Sequence, residues 1–500
     1  MNEYLNQNED SHLEYKEALK ELPKSFWETY SAFGNTSGGK VILGIKEIKN
    51  PRDDNHRWLI QGVQDSMKVI DTIMTSQFDE FQVSAILIEN TDIEEKIISG
   101  KKIIIVNIHE STDEKKPVFL KKDVHNVYVR EGSGDVKAKG EVLQNLMRNA
   151  KNDLDTRMLP NFDIHDLDYS TIQQYRIKVL ENPKREHLRD LSDEEFLRQV
   201  SAMSRNKANR NSLDLTTGGL LFLGDSSSIT QEFPYFQLDY FDYRVQGSRW
   251  RKRISSVEDN LNIFSFFQLV MQEIRSNIDD RFSLNADMSR STSAENLVVA
   301  LREGLVNMLQ HADYFQNEHL IIKAYWDYFE FSNPGKMKIP VDQFFTSGES
   351  KTRNPNISKM FVFSGFSERA GSGGHQIYKA SITNNFRHPV ISTDNSKTVL
   401  KIWYVDYADS LRGIDDPDMK NILRFMTKKV IPVKLAEIQT ATGLSRYFVD
   451  QKLRQLVDKK IIIRTGNARA TKYEIPKSEE EIYANMKQLT DQLVYRPRNH

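Results

Sequence analysis

No cysteine occurs in the 500 residues. That absence excludes disulfides, thiol nucleophiles and cysteine-ligated zinc or iron–sulfur sites, and it fits a reducing compartment, so a cytoplasmic location is expected. Long hydrophobic runs are missing as well. No apolar stretch approaches the roughly 20 residues that a membrane span needs, and the opening MNEYLNQNEDSHLEYKEAL has neither the basic start nor the apolar core of a signal peptide. No membrane partner is expected. Charge of one sign is not in excess either: 69 basic against 70 acidic residues leave a formal net charge of −1. Any nucleic-acid binding therefore has to come from local patches. Internal repeats and low-complexity segments are also absent.

What is present is an ordinary globular balance, 39% hydrophobic and 28% charged, over a length that suggests roughly three or four domains. The fold class read from the pattern is α+β multidomain. In residues 8–150, LEYKEALKELPKSFWETYSAFGN has apolar residues at helical spacing, SGG turns the chain, and KVILGIKE, KKIIIVNIHE and NVYVREG read as strands. Residues 151–210 read as a charged helical connector. At its end, LSDEEFLRQV opens a helix with Ser and acidic residues, and GGLLFLG reads as a buried strand. Residues 211–406 combine the strands FQLDYFDYRV, HLIIKAYWDYFEFSN and TVLKIWYVDYA with long helices, an α/β sandwich. Residues 415–476 give three short helices and a basic hairpin around Gly466, a winged helix-turn-helix pattern. Residues 477–500 form a tail.

One stretch in the sandwich region, EGLVNMLQHADY, is chemically odd. Glu303, Asn307 and His311 fall at i, i+4 and i+8 and share one stripe of a helix, beside Leu301, Leu305, Met308 and Leu309 on stripes that can be buried. Such a line either looks into a cleft or is a polar surface with no further role. Three loops follow it: FEFSNPGKM turns directly after a strand, SGESKTRNPNI is a polar loop leading toward a helix, and ERAGSGGHQIYKA is a glycine-rich entry into another helix.

In that order, E-x-x-x-N-x-x-x-H-x-D-Y, S-N-P-G, R-N-P-x-I and E-R-x-G-S-G resemble the GHKL-type ATP-binding domain of bacterial RecG-like, Schlafen-associated proteins. The resemblance spans most of residues 211–406 and implies ATP and magnesium as cofactors. It makes Glu303 the carboxylate that takes a proton from the attacking water and Asn307 an oxygen ligand for magnesium. Gly371, Ser372, Gly373 and Gly374 become the loop that lets backbone approach the phosphates at a helix N-terminus. Lys351 and Arg353 neutralise phosphate charge from a lid. Asn333 and Gly335 stand where most GHKL proteins carry D-x-G-x-G, whose aspartate reads the adenine amino group. His311 and Asp313 are either further pocket ligands or satisfied polar neighbours.

EDSHLEYKEALKE, SAFGNTSGGKVILGIKE and VYVREGSGD resemble the Schlafen/AlbA-like domain over residues 9–135. The resemblance implies nucleic-acid binding, with Lys16, Lys40 and Arg130 on phosphates. In some members an acidic cluster cleaves RNA; here Glu9, Glu14 and Glu47 would hold one or two divalent ions, or else sit in salt bridges. In the C-terminal unit, Ser445 is a plausible N-cap, Val449, Leu453, Leu456 and Val457 face inward, and Arg446, Lys452, Arg464 and Arg469 are placed to meet a duplex. A protein-interaction winged helix is the alternative. DNA is the first expected partner, RNA the second, and the assembly is expected to be a homo-oligomer, dimer or higher. Three functions follow: an ATPase controlling flanking nucleic-acid-binding modules, a metal-dependent Schlafen-like nuclease of antiviral or toxin-like defence, and an ATP-sensing DNA-binding transcriptional regulator with little turnover.

Overall fold

The computed structural model describes residues 8–48, 57–206, 212–244, 249–282, 288–345, 351–367, 373–384, 386–411, 413–429, 431–466 and 470–476. The chain divides into two compact units, residues 1–151 and 152–500. Among the described residues no helix is long and apolar enough to cross a membrane.

The first unit opens with a strand where a helix is expected. Leu13–Lys16 pairs in parallel with Gly39–Leu43, which pairs antiparallel with Lys101–Ile108, which in turn pairs with Ile93–Ile98. Leu13 and Tyr15 alternate inward with period 2, and that alternation decides against the helix. The expected helix begins only at Phe26 and runs to Asn35. It is buried almost all round, with Phe26, Tyr30 and Phe33 in the core. Its polar residues are therefore committed inward. Asn35 Nδ2 donates to the carbonyls of Val118 at 2.9 Å and Tyr128 at 3.0 Å, and its Oδ1 accepts the Val118 N–H at 2.7 Å. The KVILGIKE run breaks at Gly44, whose φ of +95° lets Ile45–Glu47 leave the main sheet and pair with Trp58–Ile60.

In the second unit, residues 151–210 do not stand apart as a connector. Leu159, Tyr175, Phe196 and Leu197 belong to the same hydrophobic core as Phe264, Leu305, Phe329 and Ile402. The segment also contributes strands, Met158–Leu159 and Met203–Arg205, on either side of Leu213–Thr216. Asp155, fully buried, takes the Ile357 N–H on Oδ2 at 2.7 Å and so caps the helix Pro355–Phe363 from far away in sequence. GGLLFLG corrects a second expectation: Thr217–Leu223 is a helix, capped by the Thr216 hydroxyl on the Gly219 N–H at 3.0 Å. All seven of its residues are buried, so no polar face marks the helical period.

The main sheet has six strands in the order Lys252–Ser255, Leu238–Asp242, Leu320–Ala324, Tyr328–Pro334, Lys397–Trp403, Val390–Thr393. Its buried residues, among them Ile322, Phe331 and Leu400, belong to one core with those of Ile263–Phe282, Met288–His311 and Gly373–Thr383. At the C-terminus, helices Pro417–Thr427, Leu435–Thr442 and Arg446–Asp458 enclose a core of their own, with a hairpin of Ile463–Thr465 and Lys472–Glu474. Val433 bridges Tyr473 and adds a third short edge to that hairpin. Ser445 accepts the Phe448 N–H, as a cap should.

Replacing Asn35 by Ala removes the acceptor of the buried Val118 N–H and one donor from each of two carbonyls, of which that of Val118 keeps the Ser31 hydroxyl at 2.7 Å. Hydrogen exchange at the Val118 amide should accelerate by the equivalent of about 2 kcal/mol of lost protection.

Candidate nucleotide cleft and nucleic-acid surfaces

The helix Met288–His311 forms one wall of a cavity of about 260 Å³. Leu301, Leu305 and Leu309 point into the core, while Glu303, Asn307 and His311 line the cavity. Glu303 is nearly buried; its Oε1 receives Nη2 of Arg302 at 3.0 Å. Its Oε2 faces the glycine start of Gly373–Thr383, where a Cβ on Gly373 would come within 2.8 Å of it. Gly374 is closer still to its surroundings: a Cβ there would lie 1.9 Å from the Phe344 carbonyl, so only glycine brings this helix end to the cavity. Gly371 and Ser372 lie outside the described residues.

Asn307 accepts Nε2 of Gln310 on Oδ1 at 2.9 Å, and its buried Nδ2 has no hydrogen-bond partner among the described residues. Gln310 Nε2 also lies 3.1 Å from Nε2 of His311. Burial, with the cations of Arg353 and Lys338 adding to it, holds the His311 imidazole down to about 4. Asn333, at the end of its strand, donates Nδ2 to the Pro334 carbonyl at 3.0 Å and lines the cavity. Lys351 lines it too. So do Lys336, Lys338 and Thr398, which sequence reasoning missed; G-K-M-K directly after the N-P turn was the available signal for the two lysines.

Three expected ligands sit elsewhere. Arg353 is fully buried; Nε donates to the His311 carbonyl at 3.0 Å and Nη2 to the Lys336 carbonyl at 2.8 Å, so it ties the cleft together instead of facing phosphate from a lid. Gly335, at φ +101°, makes room for that guanidinium: a Cβ would meet Nη2 at 3.0 Å. Asp313 is buried behind the wall, holding the Phe315 N–H at 3.1 Å and Gln316 Nε2 at 3.0 Å.

In the first unit the carboxylates are arranged differently from a metal site. Glu14 pairs with Lys16 Nζ and Arg130 Nη2, both at 2.9 Å. Glu9 accepts the Tyr15 N–H at 3.0 Å, and burial pushes its carboxyl up, a shift that this N–H bond opposes. Glu47 is exposed and pairs with Arg57. Among the described residues no group of three or more His, Asp or Glu side chains is placed to hold a metal ion. Arg130, expected on nucleic acid, is sealed from solvent: it binds Asp135 and the carbonyls of Asp10 and Leu13. Lys16 is largely buried against Glu14. Lys40 alone of the expected trio lines an open groove, with His12, Asn107 and His109.

In the C-terminal unit Arg446 and Arg464 are exposed, whereas Lys452 is taken by Asp416. Arg469 lies outside the described residues. Two residues not expected at this surface, Tyr447 and Phe448, are 73% and 51% exposed and meet edge to face at 5.7 Å. Their exposure follows from the inward positions of Val449, Leu453 and Leu456, a signal the sequence did contain.

Three family models match separate stretches of the chain. Residues 9–139 match the family model described as "Schlafen, AlbA_2", and residues 317–402 that described as "Putative ATP-dependent DNA helicase recG C-terminal". Residues 144–239 match a domain of unknown function. The chain thus combines a Schlafen/AlbA-like module with a RecG-like ATPase module. No curated protein matches it. Among solved structures, the DIP2311 protein from Corynebacterium diphtheriae is similar over 93% of this chain and 95% of its own, at 14% identity and a TM-score of 0.39. The N-terminal domain of an ATP-dependent DNA helicase RecG-related protein from Nitrosomonas europaea covers 27% of this chain and 88% of its own, at 24% identity and a TM-score of 0.20.

The depressed His311 has a pH signature. Above its ordinary value of 6.5 the imidazole is neutral in folded and unfolded chains alike, and its contribution is intact. As pH falls from 6.5 through about 4, the unfolded chain takes a proton that the cleft refuses, and stability on the order of 3 kcal/mol is lost. Urea titrations across this window should show a smaller loss for His311→Asn than for the wild type.

Proposed function

We propose that the cleft binds ATP with magnesium, and that nucleotide occupancy controls how two flanking modules, the Schlafen/AlbA-like domain and a C-terminal winged helix-turn-helix, engage nucleic acid. One observation carries the nucleotide reading: a carboxylate and an amide one helical turn apart face the glycine start of a second helix across a cavity that also holds Lys336, Lys338 and Lys351. A triphosphate needs that combination of cations and helix N-terminus on one side, and a base with a metal ligand on the other.

The orphaned Nδ2 of Asn307 fits a magnesium site. Turning this amide over, with Gln310 turning in step so that its oxygen accepts Nδ2–H, aims Oδ1 into the cavity. The ion, when bound, neutralises developing charge on the β- and γ-phosphate oxygens. Glu303 takes the proton of the attacking water, Asn333 offers its amide oxygen toward the base, and the lysines hold phosphate. A second reading, an ATP-sensing regulator with little turnover, is favoured by the Arg302 guanidinium on Glu303 Oε1. The nuclease reading is not proposed, since Glu9, Glu14 and Glu47 do not form a ligand set.

For nucleic acid, the exposed Arg446, Tyr447 and Phe448 at the start of their helix and Arg464 on the hairpin suit a duplex groove and its phosphates. Lys40 is the phosphate contact proposed for the first unit.

Glu303→Ala should lower ATP turnover at least about 100-fold while ATP still binds. Full turnover in this variant would refute the assignment of the base. Asn307→Ala should remove the magnesium dependence of ATP binding, measured by calorimetry with and without the ion.

A further inference from the structure

Behind the Glu303 helix lies a second cavity, of about 480 Å³, that none of the sequence motifs marks. Four cations line it, Lys178, Arg185, Arg275 and Arg302, against one carboxylate, Glu181. Two of the cations are already committed. Lys178 binds Glu181, and Arg185 holds the carbonyls of Val362 and Phe363 at the end of the helix Pro355–Phe363. The other two differ: Arg302 is tied through Nη2 alone, to Glu303 at 3.0 Å. Arg275 is exposed on Ile263–Phe282 and has no ion pair among the described residues, and Nε of Arg302 is buried with no hydrogen-bond partner. The floor is aromatic, Phe267 against Phe366 with ring centroids 4.5 Å apart.

Arg302 lines the second cavity and reaches the first through Glu303. Its Nη2 holds Oε1 of Glu303 at 3.0 Å, while its buried Nε has no hydrogen-bond partner among the described residues. A phosphate seated side-on against a guanidinium takes Nε–H together with Nη2–H, and so competes with Glu303 for the same nitrogen.

We propose that this cavity is a second anion site, taking a phosphate carried on a nucleotide, and that its occupant draws Arg302 off Glu303. The phosphate is held by Arg275 and Arg302, with the flat ring system against the partly exposed Phe366. Freed of its ion pair, the Glu303 carboxylate accepts the water proton more readily, and turnover in the first cleft rises. This coupling rests on the reading of Glu303 as the base; the existence of the site does not. Free nucleotide and the 5′ end of a strand present the same chemistry, and the experiment separates them.

The probes are thymidine 5′-monophosphate and hexathymidylate with a 5′-phosphate or a 5′-hydroxyl, titrated into the full chain with the first cleft filled by a non-hydrolysable ATP analogue. The phosphorylated probes should bind and the hydroxyl form should not. Binding of the mononucleotide identifies free nucleotide as the source, and binding of the phosphorylated strand alone identifies a strand end. Arg275→Glu should weaken binding about tenfold or more, the order expected for losing charge-assisted hydrogen bonds, while leaving basal turnover unchanged because Arg275 is exposed and has no ion pair among the described residues. Bound probe should raise ATP turnover in the wild type and not in Arg275→Glu. Equal binding by wild type and Arg275→Glu, equal binding of the hydroxyl form, or no binding at all would overturn the site. Binding that leaves turnover unchanged would overturn the coupling. Glu303→Ala keeps the two readings apart: it should still bind the probe, so a failed nucleotide assignment and a failed anion site give different results.

Discussion

A guanidinium sealed from solvent sets the shape of the cleft beside the Glu303 helix. Arg353 joins the carbonyl that ends the Glu303 helix to the carbonyl of Lys336, in the loop after the central strand, and Asn354 adds bonds to the carbonyls of Gln310 and Ala312. Helix end, strand turn and the root of the polar loop are therefore fixed as one piece. Burying that charge is tolerable only because carbonyl oxygens aimed at it replace water. The position of Gly335 follows from the same demand, since any side chain there would press on the guanidinium. Lys351 and Thr352 precede this anchor directly, so they reach the cavity from a fixed base.

The cleft was legible in the sequence where chemistry and period coincide. Three polar residues of different kinds recurring at helical spacing on an apolar helix leave few structural explanations, and the loops that complete the wall announce themselves through Asn-Pro and Gly-Gly. The misses have physical causes. Leu13 and Tyr15 suit the inward face of a strand, yet they sit in a run whose later residues carry a helical period, and pairing with Gly39–Leu43 decides between them. Thr217–Leu223 is buried on every side, which erases the pattern that separates helix from strand.

Charged residues were legible by type but not by destination. Arg353, Arg130 and Lys452 are basic residues in suitable motifs, and each is spent on an internal partner: backbone carbonyls for the first, Glu14 and Asp135 for the second, Asp416 for the third. Asp416 lies 36 residues from Lys452, Asp10 lies 120 from Arg130, and no local pattern reports such pairings. The near-equality of basic and acidic residues thus describes in part a set of pairs closed within the fold. The charge offered to a partner is the remainder, which includes Lys40, Arg275, Arg446 and Arg464.

The cap that Asp155 places on the helix Pro355–Phe363 spans 202 residues of chain. During synthesis the first unit is complete well before its neighbour, but the large core cannot close until the ribosome has passed residue 357 and supplied the amide that Asp155 awaits. Until then Phe222 of the apolar helix Thr217–Leu223 lacks its edge-to-face partner Phe361. A chain built this way closes the large core of its second unit late, and the cleft forms in the same step, because the helix that Asp155 caps begins one residue after Asn354.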